Sequence, residues 1–205
     1  MSSVFLSASV PSTDSEYYKG CNPVLIQSAL RSFLFCVLGR KHLVFGGHPS
    51  ITPLILAVCE ELGVDNKKAV TLFQSQYFQE SFPAEASQFE NLVLVPARGT
   101  LEKSLAVMRR QMFTAYNYDA AVFIGGMEGI NQEFRLFREA CPTAKILPLK
   151  SPGGAAEKLP GVMLDDDELL DYEGLFVKGL KIGKEPLKDL PALKLKGVNY
   201  LNKDM

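Results

Sequence analysis

Six short runs rich in β-branched and aromatic residues, at 4–8, 42–46, 70–74, 92–95, 120–124 and 146–149, alternate with longer stretches of helical periodicity along the whole chain. This alternation constrains the fold more than any other feature. A strand followed by a helix and then another strand returns to the same end of the sheet, so consecutive strands pair in parallel and helices cover both faces. The expected fold is α/β, a doubly wound, mostly parallel, Rossmann-like sheet with helices on both faces.

The helices carry their own stop and start signals. Asn22-Pro23 reads as an N-cap and first-turn proline, after which Ile26, Leu30, Phe33 and Val37 recur on one face. A second helix is expected over 51–62, closed by Gly63, and a third over 100–115 with Leu101, Leu105, Met108 and Met112 as its buried stripe. A fourth begins near Gly129 and buries Ile130, Phe134 and Phe137. Residues 73–89 hold four phenylalanines, a tyrosine and four glutamines, interrupted by Pro83, and read as a loop with short helical pieces lying over the sheet.

Beyond Lys150 the periodicity weakens. The cluster Asp165-Asp166-Asp167-Glu168 reads as a solvated helix start, and the Leu/Lys-rich stretch from Phe176 to the end as a surface extension or a dimerisation arm. The domain division expected is 1–160 as the Rossmann-like unit and 161–205 as a C-terminal extension packed on it or extending it.

Composition narrows the function classes. At 205 residues, 47% apolar and 22% charged, the chain can build one substantial core and is too short for two comfortable domains. A net charge of −1, with Lys and Arg scattered, offers no face for duplex nucleic acid or an anionic membrane. The four cysteines have no C-x-x-C spacing and only His42 and His48 could join them, so no metal site is expected. No apolar run approaches the ~18 residues of a membrane span and the N-terminus lacks a signal pattern, which points to a cytoplasmic protein with reduced thiols.

In an open parallel sheet, ligands bind outside the carboxyl ends of the strands. Those positions are small or polar here: Ser7-Ala8-Ser9, Gly46-Gly47-His48, Gly125-Gly126, and Lys150-Ser151-Pro152-Gly153-Gly154. Chance would put about one Gly-Gly pair in such a composition, whereas there are three, each at the carboxyl end of an expected strand or in the loop that follows it. The fifth strand breaks into Gly125-Gly126-Met127-Glu128-Gly129 and re-forms as a helix, whose free N–H groups favour an anion such as phosphate. The nicotinamide fingerprint G-x-G-x-x-G and the P-loop G-x-x-x-x-G-K-[ST] are both absent, so hydride transfer and ATP hydrolysis have no motif behind them.

Helical phase singles out two charges. Arg109 lies at the edge of the apolar stripe, where it either runs its stem along the core or reaches a phosphate or carboxylate, while Arg110 points away as a surface charge. Glu133 flanks the stripe of Ile130, Phe134 and Phe137, while Glu128 sits within the turn, where the helix dipole alone favours an acid. His48 either contacts the ligand or caps the helix that follows Ser50.

At these residues the sequence resembles the SLOG superfamily, which joins the Lonely Guy phosphoribohydrolases, the DNA-processing protein A fold and nucleotide-sensing domains of melastatin-type channels and bacterial antiviral systems. The resemblance covers roughly residues 3–160. It is carried by Phe5-Leu6-Ser7-Ala8-Ser9-Val10-Pro11, Phe45-Gly46-Gly47-His48-Pro49, Phe123-Ile124-Gly125-Gly126-Met127-Glu128-Gly129 and Ser151-Pro152-Gly153-Gly154-Ala155, which resemble the stand-alone or fused bacterial branch linked to nucleotide-based immunity. The Lonely Guy enzymes place an Arg-Lys pair on the helix before P-G-G-x-G-T-x-x-E and cleave the N-glycosidic bond of a nucleoside monophosphate. Met108-Arg109-Arg110-Gln111-Met112 is similar to the first element, and Gly125-Gly126 with Glu133 to the second. Ile124 stands in place of the proline, no threonine follows Gly129, and the spacing from the glycine pair to Glu133 is one residue longer.

A displaced carboxylate harms catalysis more than binding, because bond cleavage needs closer alignment. The expected function is therefore recognition of a nucleotide with a ribose-phosphate moiety, such as an ADP-ribose-type or cyclic nucleotide signal, in antiviral or stress signalling. Ser7, Ala8, Ser9, Gly46, Gly47, His48, Arg109, Gly125, Gly126, Met127, Glu128, Gly129, Glu133, Ser151, Gly153 and Gly154 are the expected binding residues, with no cofactor. The alternative is a nucleoside 5′-monophosphate N-glycosidase using Glu133 and Arg109. A third reading makes the pocket vestigial and leaves protein contacts alone as the function, with the Leu/Lys-rich tail as the interface; the partners expected are a nucleotide-type small molecule, a second copy as a homodimer and an effector protein.

Overall fold

The computed structural model of the protein describes residues 2–161, 167 and 169–183. Six parallel strands form one sheet in the order β4-β3-β2-β1-β5-β6. They are β1 (Ser3–Ser9), β2 (His42–Phe45), β3 (Val70–Ser75), β4 (Leu92–Val95), β5 (Tyr118–Gly125) and β6 (Lys145–Pro148). The helices are α1 (Pro23–Val37), α2 (Thr52–Glu61), the single turn α3 (Asn66–Ala69), α4 (Leu101–Ala115), α5 (Glu128–Ala140) and α6 (Tyr172–Leu180). The doubly wound α/β architecture read from the sequence is the one present.

Alternation along each strand sends side chains to opposite faces, and each face has its own apolar layer. Val4, Leu6, Leu43, Phe45, Val122 and Ile124 pack with α1, α2 and α6 on one side. Phe5, Val44, Phe73, Ala121 and Phe123 pack with α4 and α5 on the other. Phe5 is the hub of the second layer, edge-on to Phe113 at 4.9 Å and stacked on Phe137 at 5.4 Å between ring centres. Helices change face where the winding reverses, because right-handed crossovers running in opposite directions along a sheet lie on opposite sides. That reversal falls between β1 and β5, paired from Ser3↔Tyr118 to Ser9↔Gly125.

Local signals behave as expected at α1, where the Asn22 side chain accepts from the Val24 and Leu25 N–H groups. In α4 the buried stripe differs from the expected one. Leu101 is 41% exposed, and Ser104 is buried instead. The polar residue is tolerated inside because its hydroxyl donates to the Thr100 carbonyl at 2.7 Å and accepts from the Arg98 N–H at 2.8 Å.

The C-terminal readings also need correction. Asp167 is not a solvated helix start but a buried acceptor, taking hydrogen bonds from the Lys150 N–H at 2.5 Å and the Ser151 hydroxyl at 2.5 Å. The rest of that acidic cluster lies outside the described residues. Phe176, where the Leu/Lys-rich stretch begins, is fully buried on α6 and meets Phe33 of α1 edge-on at 5.3 Å. The remainder of the Leu/Lys-rich stretch, 184–205, lies outside the described residues. No described helix is long and apolar enough to cross a membrane.

Candidate functional site

At the reversal point, β1 and β5 are followed by chains that leave in opposite directions, which opens a crevice at the carboxyl edge of the sheet. A cavity of about 450 Å³ lies there, within the roughly 300–1,000 Å³ usual for small-molecule sites. Ser7, Ala8 and Ser9 from β1, Gly46, Gly47 and His48 after β2, Arg109 from α4, and Met127, Gly129 and Glu133 around the start of α5 all line it.

The centre of the wall is an ion pair between two helices. Because α4 and α5 lie side by side on one face, Arg109 and Glu133 meet although they are 24 positions apart. The Arg109 Nε donates to Glu133 Oε1 at 3.2 Å, and the two side chains are only 7% and 16% exposed. Nη1 of the same guanidinium donates to Gln132 Oε1 at 2.7 Å, and Nη2 to the Gly129 carbonyl at 3.5 Å. The Ser7 hydroxyl donates to the other carboxylate oxygen, Glu133 Oε2, at 2.6 Å. Of the two roles open to Arg109, its guanidinium here holds a carboxylate. Glu133 lies four residues, about one helical turn, beyond Gly129 within α5 and lines the cavity.

His48 lines the cavity, and its side chain bonds the turn before α2 rather than capping that helix, whose N-cap position has no side-chain hydrogen bond. Its Nδ1 accepts from the Ser50 N–H at 3.2 Å and contacts the Ser50 hydroxyl at 2.8 Å, while that hydroxyl accepts from the Val10 N–H at 3.2 Å. The Ser50 proton therefore points to Nδ1, which leaves Nε2 as the protonated ring nitrogen. Burial pushes the His48 pKa below its ordinary value.

Six of the residues expected at the site do not line the cavity: Gly125, Gly126, Glu128, Ser151, Gly153 and Gly154. The Gly126 N–H is engaged by the Ser9 carbonyl at 2.8 Å, and its own carbonyl accepts from the Ala155 N–H at 3.0 Å. Glu128 is exposed and bonds Tyr17 at 3.2 Å and Asn131 at 2.9 Å, as a first-turn acid does. The Ser151 hydroxyl is held by Asp167 at 2.5 Å and Tyr172 at 2.8 Å. Gly153-Gly154 is a packing device. At Gly154, φ is 74° and a Cβ would come within 2.7 Å of the Gly125 carbonyl carbon, so only glycine lets the two loops touch.

Sequence reasoning missed the opposite wall. Gln74 and Ser75 end β3 at the same carboxyl edge, and Phe78 in the 3₁₀ segment Gln76–Ser81, with Phe82 and Pro83 in the link to a second one, Ala84–Gln88, line the crevice from above. Strand-end position was the available signal for Gln74 and Ser75, obscured because the aromatic run after them has no regular period. Gln132 was also missed; it is adjacent to Glu133 and met only through Arg109.

The Ser9 hydroxyl and the Gln74 carboxamide are unusual among these side chains. Both residues are more than nine-tenths buried and line the cavity, yet neither side chain has a hydrogen-bond partner among the described residues.

Among curated proteins, none matches the sequence. The X-ray structure of TM1055, a structural genomics target, aligns with 18% identity over 80% of this chain and 84% of its own, at a TM-score of 0.49. The model of the SLOG cluster3 family matches residues 16–180, which takes in β2 to β6, the Arg109–Glu133 pair and α6. With more than half of the chain matched by that model, the protein belongs to the SLOG cluster3 family.

Proposed function

We propose that the cavity binds a nucleotide-derived ligand with a ribose-phosphate moiety, of the ADP-ribose or cyclic-nucleotide type, and that the protein acts as its sensor. The observation that carries this reading is the Glu133 carboxylate, oriented by Arg109 at 3.2 Å and Ser7 at 2.6 Å on the wall of a cavity at the sheet's reversal point. Two donors fix the carboxylate and leave lone pairs for the hydroxyls of a ribose, the acceptor geometry a vicinal diol requires. The start of α5 has no side-chain cap at Met127, so its first N–H groups suit a phosphate placed beside Ser9. Phe78, Phe82 and Pro83 offer an apolar wall for the base.

The second reading is the N-glycosidase, favoured by one observation: Glu133 lines the cavity beside Arg109 despite the longer spacing before it. A carboxylate there could stabilise positive charge developing at a ribose C1′. Native mass spectrometry of the protein mixed with AMP, NAD, ADP-ribose and cyclic ADP-ribose, with analysis of the small molecules left in solution, separates the two. A retained, unmodified nucleotide supports the sensor, whereas free base with ribose phosphate, abolished in Glu133→Gln, supports the enzyme. Absence of any bound nucleotide or product refutes both.

A further inference from the structure

We infer that Gln74 reads the edge of the base and sets which nucleotide the cavity accepts, an inference that rests on the nucleotide reading above. Gln74 is the last residue but one of the buried strand β3 and is 5% exposed, and its carboxamide has no partner among the described residues. Neither of its polar atoms belongs to the fully enclosed unpaired groups, and the residue lines the cavity, so the amide opens on to that space. An amide placed in this way leaves one acceptor and two donors without protein partners, a costly arrangement unless a ligand or water completes it.

The surroundings say what completes it. Gly46-Gly47 runs between the two polar walls: a Cβ at Gly46 would lie 4.0 Å from Glu133 Oε1, and one at Gly47 would collide with Gln74 Nε2. Carboxylate and carboxamide therefore flank one glycine pair, the first suited to a diol and the second to a flat edge. Gly47 has φ +66° and no side chain, which keeps the amide's position clear. Phe78, Phe82 and Pro83 begin four residues after Gln74 and line the same cavity, so a ring lying on them presents its edge to the amide. A carboxamide bonds side by side to an edge that sets a donor next to an acceptor, as the amine and ring nitrogen of adenine do. A site built around such a pair discriminates strongly, because the wrong partner leaves its buried groups unpaired.

The experiment measures affinities of the wild-type chain, Gln74→Met and Gln74→Glu for AMP, GMP and ribose 5-phosphate by calorimetry, with thermal melting to confirm folding. For the wild type, AMP is expected to bind at least tenfold more tightly than ribose 5-phosphate. In Gln74→Met that advantage falls at least tenfold. In Gln74→Glu the preference moves from AMP toward GMP, since a carboxylate accepts from the adjacent ring N–H and amine of guanine and repels a ring-nitrogen acceptor. If AMP keeps its advantage over ribose 5-phosphate in a folded Gln74→Met, or the wild type binds both equally, this inference is overturned while the ribose-phosphate reading stands. If the wild type binds none of the three compounds but retains ADP-ribose, this inference is overturned; if it also binds none of NAD, ADP-ribose and cyclic ADP-ribose, the underlying reading fails and the inference falls with it.

Discussion

Replacing Arg109 by methionine keeps the apolar stem that packs in α4 and removes only the guanidinium. Three hydrogen bonds are lost, to Glu133 at 3.2 Å, Gln132 at 2.7 Å and the Gly129 carbonyl at 3.5 Å. Glu133, 16% exposed, then keeps its negative charge company only with the Ser7 hydroxyl. Removing one partner of a buried pair costs about 3–5 kcal/mol, and the lower end applies because this pair borders a cavity rather than a sealed core. At roughly 2–4 °C per kcal/mol for a chain of this size, the melting temperature should fall by about 6–12 °C. Adding Glu133→Gln should restore about 2 kcal/mol, since a neutral amide needs no counter-charge. Urea denaturation of the two single variants and the double variant, without ligand, gives the coupling directly. Additivity within about 0.5 kcal/mol, or a cost of Arg109→Met below about 1 kcal/mol, would show that the pair is not coupled as the geometry requires.

Three further outcomes follow from the packing. His42 is fully buried, with Nδ1 donating to the Lys68 carbonyl at 3.1 Å and Nε2 accepting from the Thr71 hydroxyl at 2.9 Å, and burial lowers its pKa from 6.5 to about 4. The unfolded chain then binds the extra proton between those values, so stability is complete above pH 6.5 and falls by about 1.4 kcal/mol per unit toward pH 4; His42→Gln should remove that part of the slope in urea midpoints measured against pH. Gly154→Ala should cost at least about 2 kcal/mol in the same assay, from its positive φ and the 2.7 Å approach to Gly125; a cost under about 1 kcal/mol would contradict the loop contact. Phe176→Ala should cost about 3–5 kcal/mol if α6 completes the core against Phe33, and a near-neutral result would detach that helix from the domain.

The sequence by itself determined the elements, because each one's signals are local. The apolar runs of the strands, the Asn22-Pro23 start of α1, the Gly63 stop after α2 and the phase of Ile130, Phe134 and Phe137 all depend on residues within a few positions of one another. The same local logic marked the carboxyl ends of strands as the functional edge and picked out Arg109 and Glu133 by their positions beside apolar stripes. Periodicity reports which side of its own element a residue occupies, however, and not what stands opposite. Only the tertiary structure decided that Ser7 bonds Glu133 across 126 positions, that Ser104 rather than Leu101 turns inward, and that Asp167 anchors the loop at Ser151. It also separated the three Gly-Gly pairs, which look alike in sequence: Gly46-Gly47 lines the cavity, whereas Gly125-Gly126 and Gly153-Gly154 bring two backbones together. Gln74 gained its place in the cavity wall the same way, since the order of the strands and the return of residues 76–88 over the crevice are set by long-range packing that no local period encodes.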